Sequence, residues 1–186
     1  MASKESTQLQ EAVKSLQSLD SKVRASAAKT LFSAGLREFT KDRKDALGSD
    51  EAWNGLLRAL SDDDAKVVEN AAGAVAQIAG RYRHDLAAFD PLRALLGHKN
   101  KQIRTYATRG VGYLDHPERW NVLIPLLDDP VEPVRKAAVI AMVLQVKKMS
   151  ASERAAAKQA MERSLTACGP EMKMITENAI RVLTDA

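Results

Sequence analysis

A short helical signature recurs along this chain, and it restricts the fold more tightly than anything else in the sequence. The first copy lies in "DSKVRASAAKTLFSAG", residues 20–35, as Val23-Arg24-x-x-Ala27-Ala28-x-x-Leu31, with Asp20 three residues ahead of the valine. The second runs Asp64, Val67, Ala71, Ala72, Val75, and the third Asn100, Ile103-Arg104, Ala107, Thr108, Val111. The fourth is Val134-Arg135, Ala138, Val139, Met142, and a weaker fifth is Ile175, Ala179, Ile180, Leu183. Val23 to Val67 is 44 residues, Val67 to Ile103 is 36, Ile103 to Val134 is 31 and Val134 to Ile175 is 41. A helical pattern returning every roughly 30 to 47 residues marks an array of helical repeats. The alanines have a physical reason. A helix flanked by neighbours on both sides must let their axes approach toward the close end of the roughly 8–10 Å range, and small side chains allow that.

A second helix lies between consecutive copies. Asp50 is read as capping a helix that carries Trp53, Leu56, Leu57 and Leu60 on one face. Leu86, Phe89, Leu92 and Leu95 mark another, His116-Pro117 opens "ERWNVLIPLL" with proline at the first helical position, and Ser150 or Ser152 opens the next. With residues 6–19 in front, the pattern predicts about ten helices in five antiparallel pairs, roughly 5–48, 50–80, 84–114, 117–148 and 150–185, forming one domain over 1–186. Residues 36–48, "LREFTKDRKDALG", fit either a continuation of the first inner helix past Gly35 or a separate short one.

Composition narrows the class further. Hydrophobic residues make up 45% of 186 but aromatic ones only 4%, so alanine and aliphatic side chains must do the packing. No apolar run approaches the roughly 20 residues a membrane span needs. The polar start "MASKESTQLQ" lacks the apolar core of a signal peptide. Cys168 is the single cysteine, which excludes an intramolecular disulfide. These features suit a cytoplasmic protein with no membrane partner. A net charge of +4 permits an acidic or nucleic-acid partner without demanding one.

The signature resembles that of the HEAT-repeat, armadillo-like superfamily, whose second helix opens Asp-x-x-Val-Arg-x-x-Ala-Ala-x-x-Leu. The Val/Ile-Arg pair stands at Val23-Arg24, Ile103-Arg104 and Val134-Arg135, while Val68 and Thr176 replace the arginine in the second and fifth copies. The resemblance implies an all-α, right-handed α-solenoid of about five helical hairpins. It also implies that Asp20, Asp64, Asn100, Arg24, Arg104 and Arg135 bridge neighbouring repeats, and that the second helix of each pair lines a concave inner surface.

Little in the polar inventory suggests chemistry. His84, His98 and His116 share no helical face at metal-ligand spacing, Asp62-Asp63-Asp64 lacks the glycine and glutamate of a calcium loop, and no glycine-rich phosphate loop is present. No catalytic residue, metal or cofactor is expected. Binding is the better expectation. Three, six and ten residues after the anchors stand Asn70, Gln77, Tyr106, Arg109 and Tyr113, the candidate partner-binding set on the inner face. Tyrosine and arginine dominate binding hot spots. Arg93, Lys99, Lys101 and Arg104 form a basic stripe in a segment without acids. The function expected is a non-catalytic protein-binding module (an adaptor, scaffold or inhibitor-type binder) with a protein partner, acidic in character. The alternative is a nucleic-acid-binding protein with DNA-base chemistry using residues 91–114. A lyase of this architecture ranks lower.

Overall fold

A computed structural model describes residues 4–38 and 40–186, with the side chain of Ala167 outside the description. Among the described residues the chain is all helix, without a strand. The helices are α1 (Lys4–Ser15), α2 (Ser21–Gly35), α3 (Lys41–Leu47), α4 (Asp50–Ala59), α5 (Ala65–Arg81), α6 (Phe89–Ala94), α7 (Lys101–Tyr113), α8 (Arg119–Leu123), α9 (Glu132–Leu144), α10 (Ala151–Ser164) and α11 (Pro170–Asp185). Short 3-10 turns precede α6 and follow α8, α9 and α10. The five expected pairs are present, and the signature helices are α2, α5, α7, α9 and α11.

Local chemistry explains the boundaries. Asp20, Asp64 and Asn100 each stand just before an inner helix, and each side-chain oxygen accepts the backbone N–H two residues on, at 2.7–2.8 Å. Ser150, rather than Ser152, caps α10, in a reciprocal box with Glu153. Three expectations are corrected or resolved. Ser49, not Asp50, caps α4, because its hydroxyl reaches the Ala52 N–H at 3.2 Å and leaves Asp50 inside the first turn. Helix α8 begins at Arg119, so Pro117 lies ahead of it. Helix α2 stops at Gly35, and residues 41–47 form the separate α3, capped by Thr40.

The chain divides into two compact units, one ending at Leu114 and one from Asp115 to Ala186. In the first unit α5 is packed between α2 and α7, with α4 on a third side. Residues 71–79 are buried without interruption, and seven of the nine are alanine, glycine or valine. That burial answers the question the alanine-rich signature raises. Helix α3 docks on α1 through Arg43, a buried guanidinium that donates to Glu5 Oε1 at 2.7 and 3.1 Å and to the Glu38 carbonyl. In the second unit α9 packs on α11 and on the turn after α8, around Trp120, Leu123, Val134, Ala138, Met142, Met161, Met172 and Leu183.

Candidate functional site

The inner layer of the first unit consists of α2, α5 and α7, and its character comes from two glycines. On α5, Gly73 and Gly80 are two helical turns apart. A Cβ at Gly73 would stand 3.0 Å from Cδ2 and Cε2 of Phe32, and one at Gly80 would stand 2.9 Å from Cε2 of Tyr113. Rings from the flanking helices therefore lie directly on the bare backbone of α5. Phe32, reaching over from α2, meets Tyr106 from α7 edge-to-face, with ring centres 5.2 Å apart and planes at 65°. All three rings remain half-exposed. The face is thus paved with aromatic surface where an ordinary helix would carry side chains.

Charge is distributed unevenly over the same layer. Helices α2, α5 and α7 carry Lys22, Arg24, Lys29, Lys66, Arg81, Lys101, Arg104 and Arg109, against a single acid, Glu69. The acids of this unit stand on α1, α3, α4 and α6 and in the turns, among them Glu11, Asp42, Asp50 and Glu51. Four of the inner cations are engaged. Arg24 makes a two-pronged bond to Asp62, at 2.6 and 2.9 Å. That bond holds the Asp62 carboxyl below its ordinary range, and burial opposes the shift. Lys66 pairs with Glu69 at 3.1 Å, Arg81 donates to the Gly35 and Arg37 carbonyls, and Arg104 donates to the His98 and Lys99 carbonyls. Lys22, Lys29, Lys101 and Arg109 have no side-chain partner among the described residues. Lys29 stands mid-helix on α2, and Arg109 stands on α7 between Tyr106 and Tyr113.

The sequence-derived candidates separate accordingly. Tyr106, Arg109 and Tyr113 share the solvent side of α7. Asn70 and Gln77 do not reach solvent: Asn70 is buried and its amide donates to the Ala25 carbonyl at 3.1 Å, while Gln77 is buried with its Cβ against Gly35. Both tie α5 to α2. The basic stripe is dispersed. Arg93 stands on α6, 3.5 Å from Asp90 and 5.9 Å from the Phe89 ring centre, Lys99 lies in a turn, and Lys101 and Arg104 begin α7. Phe32 and Lys29, which the spacing of the signature does not single out, complete the face from α2. The signal for them was the seven-residue spacing of Gly73 and Gly80, which requires large side chains from neighbouring helices to fill the space. In the second unit, α9 places exposed Ile140 and Leu144 at the positions that Arg109 and Tyr113 hold in α7.

Contacts between repeats follow the resemblance in part. Arg24–Asp62 and Asn100–Glu69 (3.2 Å) join successive repeats. Arg104 and Arg135, like Arg24, also donate to carbonyls of the loop ahead of their own helix, at 2.8 and 2.7 Å. Among the described residues no group of three or more His, Cys, Asp or Glu side chains is placed to hold a metal ion. No helix among them is long and apolar enough to cross a membrane.

Taken together, the inner face can offer guanidinium and ammonium donors to carboxylates and ring surface to apolar groups. Comparison with known proteins agrees with the architecture. The model for HEAT repeats matches residues 54–143. A designed armadillo repeat protein, solved in complex with the peptide (KR)4, superposes with a TM-score of 0.78 at 20% identity, covering 94% of this chain and 81% of that one. Computationally designed armadillo repeat proteins for modular peptide recognition give 0.75 at 20% identity, covering 94% and 81%. An engineered protein gives 0.62 at 20% identity, covering 96% and 99%. No curated protein sequence matches the chain. With the repeat signature, the paired helices and these matches in agreement, residues 54–143 are similar to HEAT repeats and the chain has the armadillo-like α-solenoid fold.

Proposed function

We propose that this chain is a non-catalytic protein-binding module, an adaptor, scaffold or inhibitor-type binder, that grips an acidic partner with the inner layer of its first unit. The observation that carries this reading is the charge asymmetry of that layer. Three adjacent helices hold eight cations and one acid, and the mid-helix pair Lys29 and Arg109 stands unpaired beside aromatic surface. A guanidinium free of internal partners offers charge-assisted, two-pronged hydrogen bonds to a carboxylate. Rings already seated on a helix lose little further freedom on binding. One similar structure holds a (KR)4 peptide. Here the layer is itself basic, so the preference is inverted.

Protein is favoured over nucleic acid because a net charge of +4 is a small basic excess for a protein that binds a phosphate backbone. Selection from a random peptide display library tests the reading. The selected peptides should be rich in Asp and Glu. Arg109→Ala should weaken them by about 2 kcal/mol, roughly thirty-fold, as for a central hot-spot arginine. Enrichment of neutral or basic sequences contradicts the proposal. So does a gel shift of duplex DNA whose affinity falls steeply with salt, by roughly 0.9 log units per neutralised phosphate for each log unit of salt.

A further inference from the structure

The positions of the unpaired cations limit which acidic partner fits. Lys29 and Arg109 each stand six residues after the anchor of their helices, on α2 and α7, with α5 between them. A ligand that touches both must cross the middle helix. Phe32 of α2, seated over Gly73 of α5, meets Tyr106 of α7 edge-to-face on this layer.

The crossing has a definite length. Packed helices are roughly 8–10 Å apart, so two intervals span about 16–20 Å. An extended chain advances about 3.3 Å per residue, which makes the span about five to six residues. Side chains alternate along such a chain, so an even separation puts both carboxylates on the side facing the helices and an odd one turns one of them away. A separation of four residues covers only about 13 Å and one of eight about 26 Å.

We infer that the inner face of the first unit selects an extended peptide with two carboxylates six residues apart and apolar side chains at the even positions between them. The carboxylates pair with Lys29 and Arg109. The apolar groups rest on Phe32 and Tyr106. This rests on the reading of the inner layer as the binding face.

The test is a panel of labelled peptides, each with two glutamates separated by four, five, six, seven or eight residues. Leucines stand at the even positions between them on a serine background, and binding to the full chain is read by fluorescence anisotropy. The separation of six should bind about ten-fold more tightly than five or seven, the loss expected when one of two charge-assisted contacts is removed. Equal affinity at every separation overturns this inference and leaves the acidic-partner reading standing. Failure of every acidic peptide to bind overturns both. The double variant Lys29→Glu, Arg109→Glu supplies the converse. It should lose the glutamate peptide and gain the counterpart with lysines six residues apart, while its circular dichroism matches the parent. A double variant that keeps its glutamate preference contradicts the assignment of these two residues.

Discussion

At the scale of single residues, the site turns on which side chains are committed inside the protein and which are not. Sequence position places Asn70, Gln77, Tyr106, Arg109 and Tyr113 on one face, and the structure keeps Tyr106, Arg109 and Tyr113 on the solvent side of α7 while Asn70 and Gln77 are buried. Spacing could not show that Asn70 would spend its amide on the Ala25 carbonyl, nor that Gln77 would be buried against Gly35. Those outcomes depend on how closely α5 and α2 approach, which is a tertiary property. The tyrosines do two jobs, paving the face and packing on α5 or on Phe32, so alanine there removes packing as well as contact surface. Arg109 and Lys29 are therefore cleaner probes.

Asp62 gives a prediction of a different kind. Its carboxyl is held below the ordinary 3.8, chiefly by the hydrogen bond from Arg24. A depressed carboxylate pKa contributes stability that is complete above the unfolded value and is lost as pH falls through the folded one. Asp62→Asn should therefore melt at a lower temperature than the parent near pH 6. The gap should close well below pH 3.8, where the parent's carboxyl is protonated as well. A gap that persists unchanged in acid contradicts this assignment.

At the scale of helices, the repeating arginine has a use that the resemblance alone did not give. Arg24, Arg104, Arg135 and Arg154 each send Nη1 back to a carbonyl of the turn five or six residues earlier. Such carbonyls lack helical partners, and a cation there satisfies them while favouring the negative end of the preceding helix. The arginine thus locks the hairpin turn, and Arg24 also forms the two-pronged bond to the next repeat's Asp62. This gives a way to separate a folding residue from a binding one. Arg104→Met keeps the aliphatic stem and removes the bonds, so it should cost about 1–2 kcal/mol in thermal or denaturant unfolding. Its affinity for an acidic peptide should stay within about two-fold, because its guanidinium is engaged by the turn carbonyls rather than offered to a ligand. A large loss of affinity with unchanged stability would place Arg104 in the site instead.

Other features of the helices differ in how far the sequence revealed them. The inner helices announce themselves by alanine and an N-cap at fixed spacing. The outer ones are short, α6 with six residues and α8 with five, and are completed by 3-10 turns. A five-residue element has no periodicity to read, so the proline at 117 points to a start two residues ahead of the observed one. The fate of residues 36–48 was undecidable for a related reason. What fixes α3 is a pair 38 residues apart, Arg43 and Glu5, and no local pattern encodes it.

At the scale of the whole molecule, the sequence is laid out as a charge map. Inner helices of the first unit collect cations, while turns and outer helices hold acids, so a mild net charge of +4 conceals one strongly basic surface. The second unit repeats the architecture with a different surface. Ile140 and Leu144 stand exposed on α9, and its Lys136 is paired with Glu171 at 2.6 Å, a bond that draws the Glu171 carboxyl below its ordinary range. A stack of similar hairpins tolerates such variation because each contacts chiefly its neighbours. The packing positions carry the repeat, and the solvent-facing positions are free to diverge. The same freedom explains the limit of the sequence reading: positions under packing constraint recur and can be found by comparing copies, whereas the solvent-facing residues differ from copy to copy.

The central claim is that the inner layer of the first unit is where an acidic peptide binds. Backbone amide chemical-shift mapping with an acidic, leucine-containing peptide tests it most directly. The account predicts saturable shifts on α2, α5 and α7, concentrated around Lys29, Gly73 and Arg109, with α1, α4 and α6 undisturbed. Shifts confined to the outer helices, with those three residues unmoved at saturation, would contradict it.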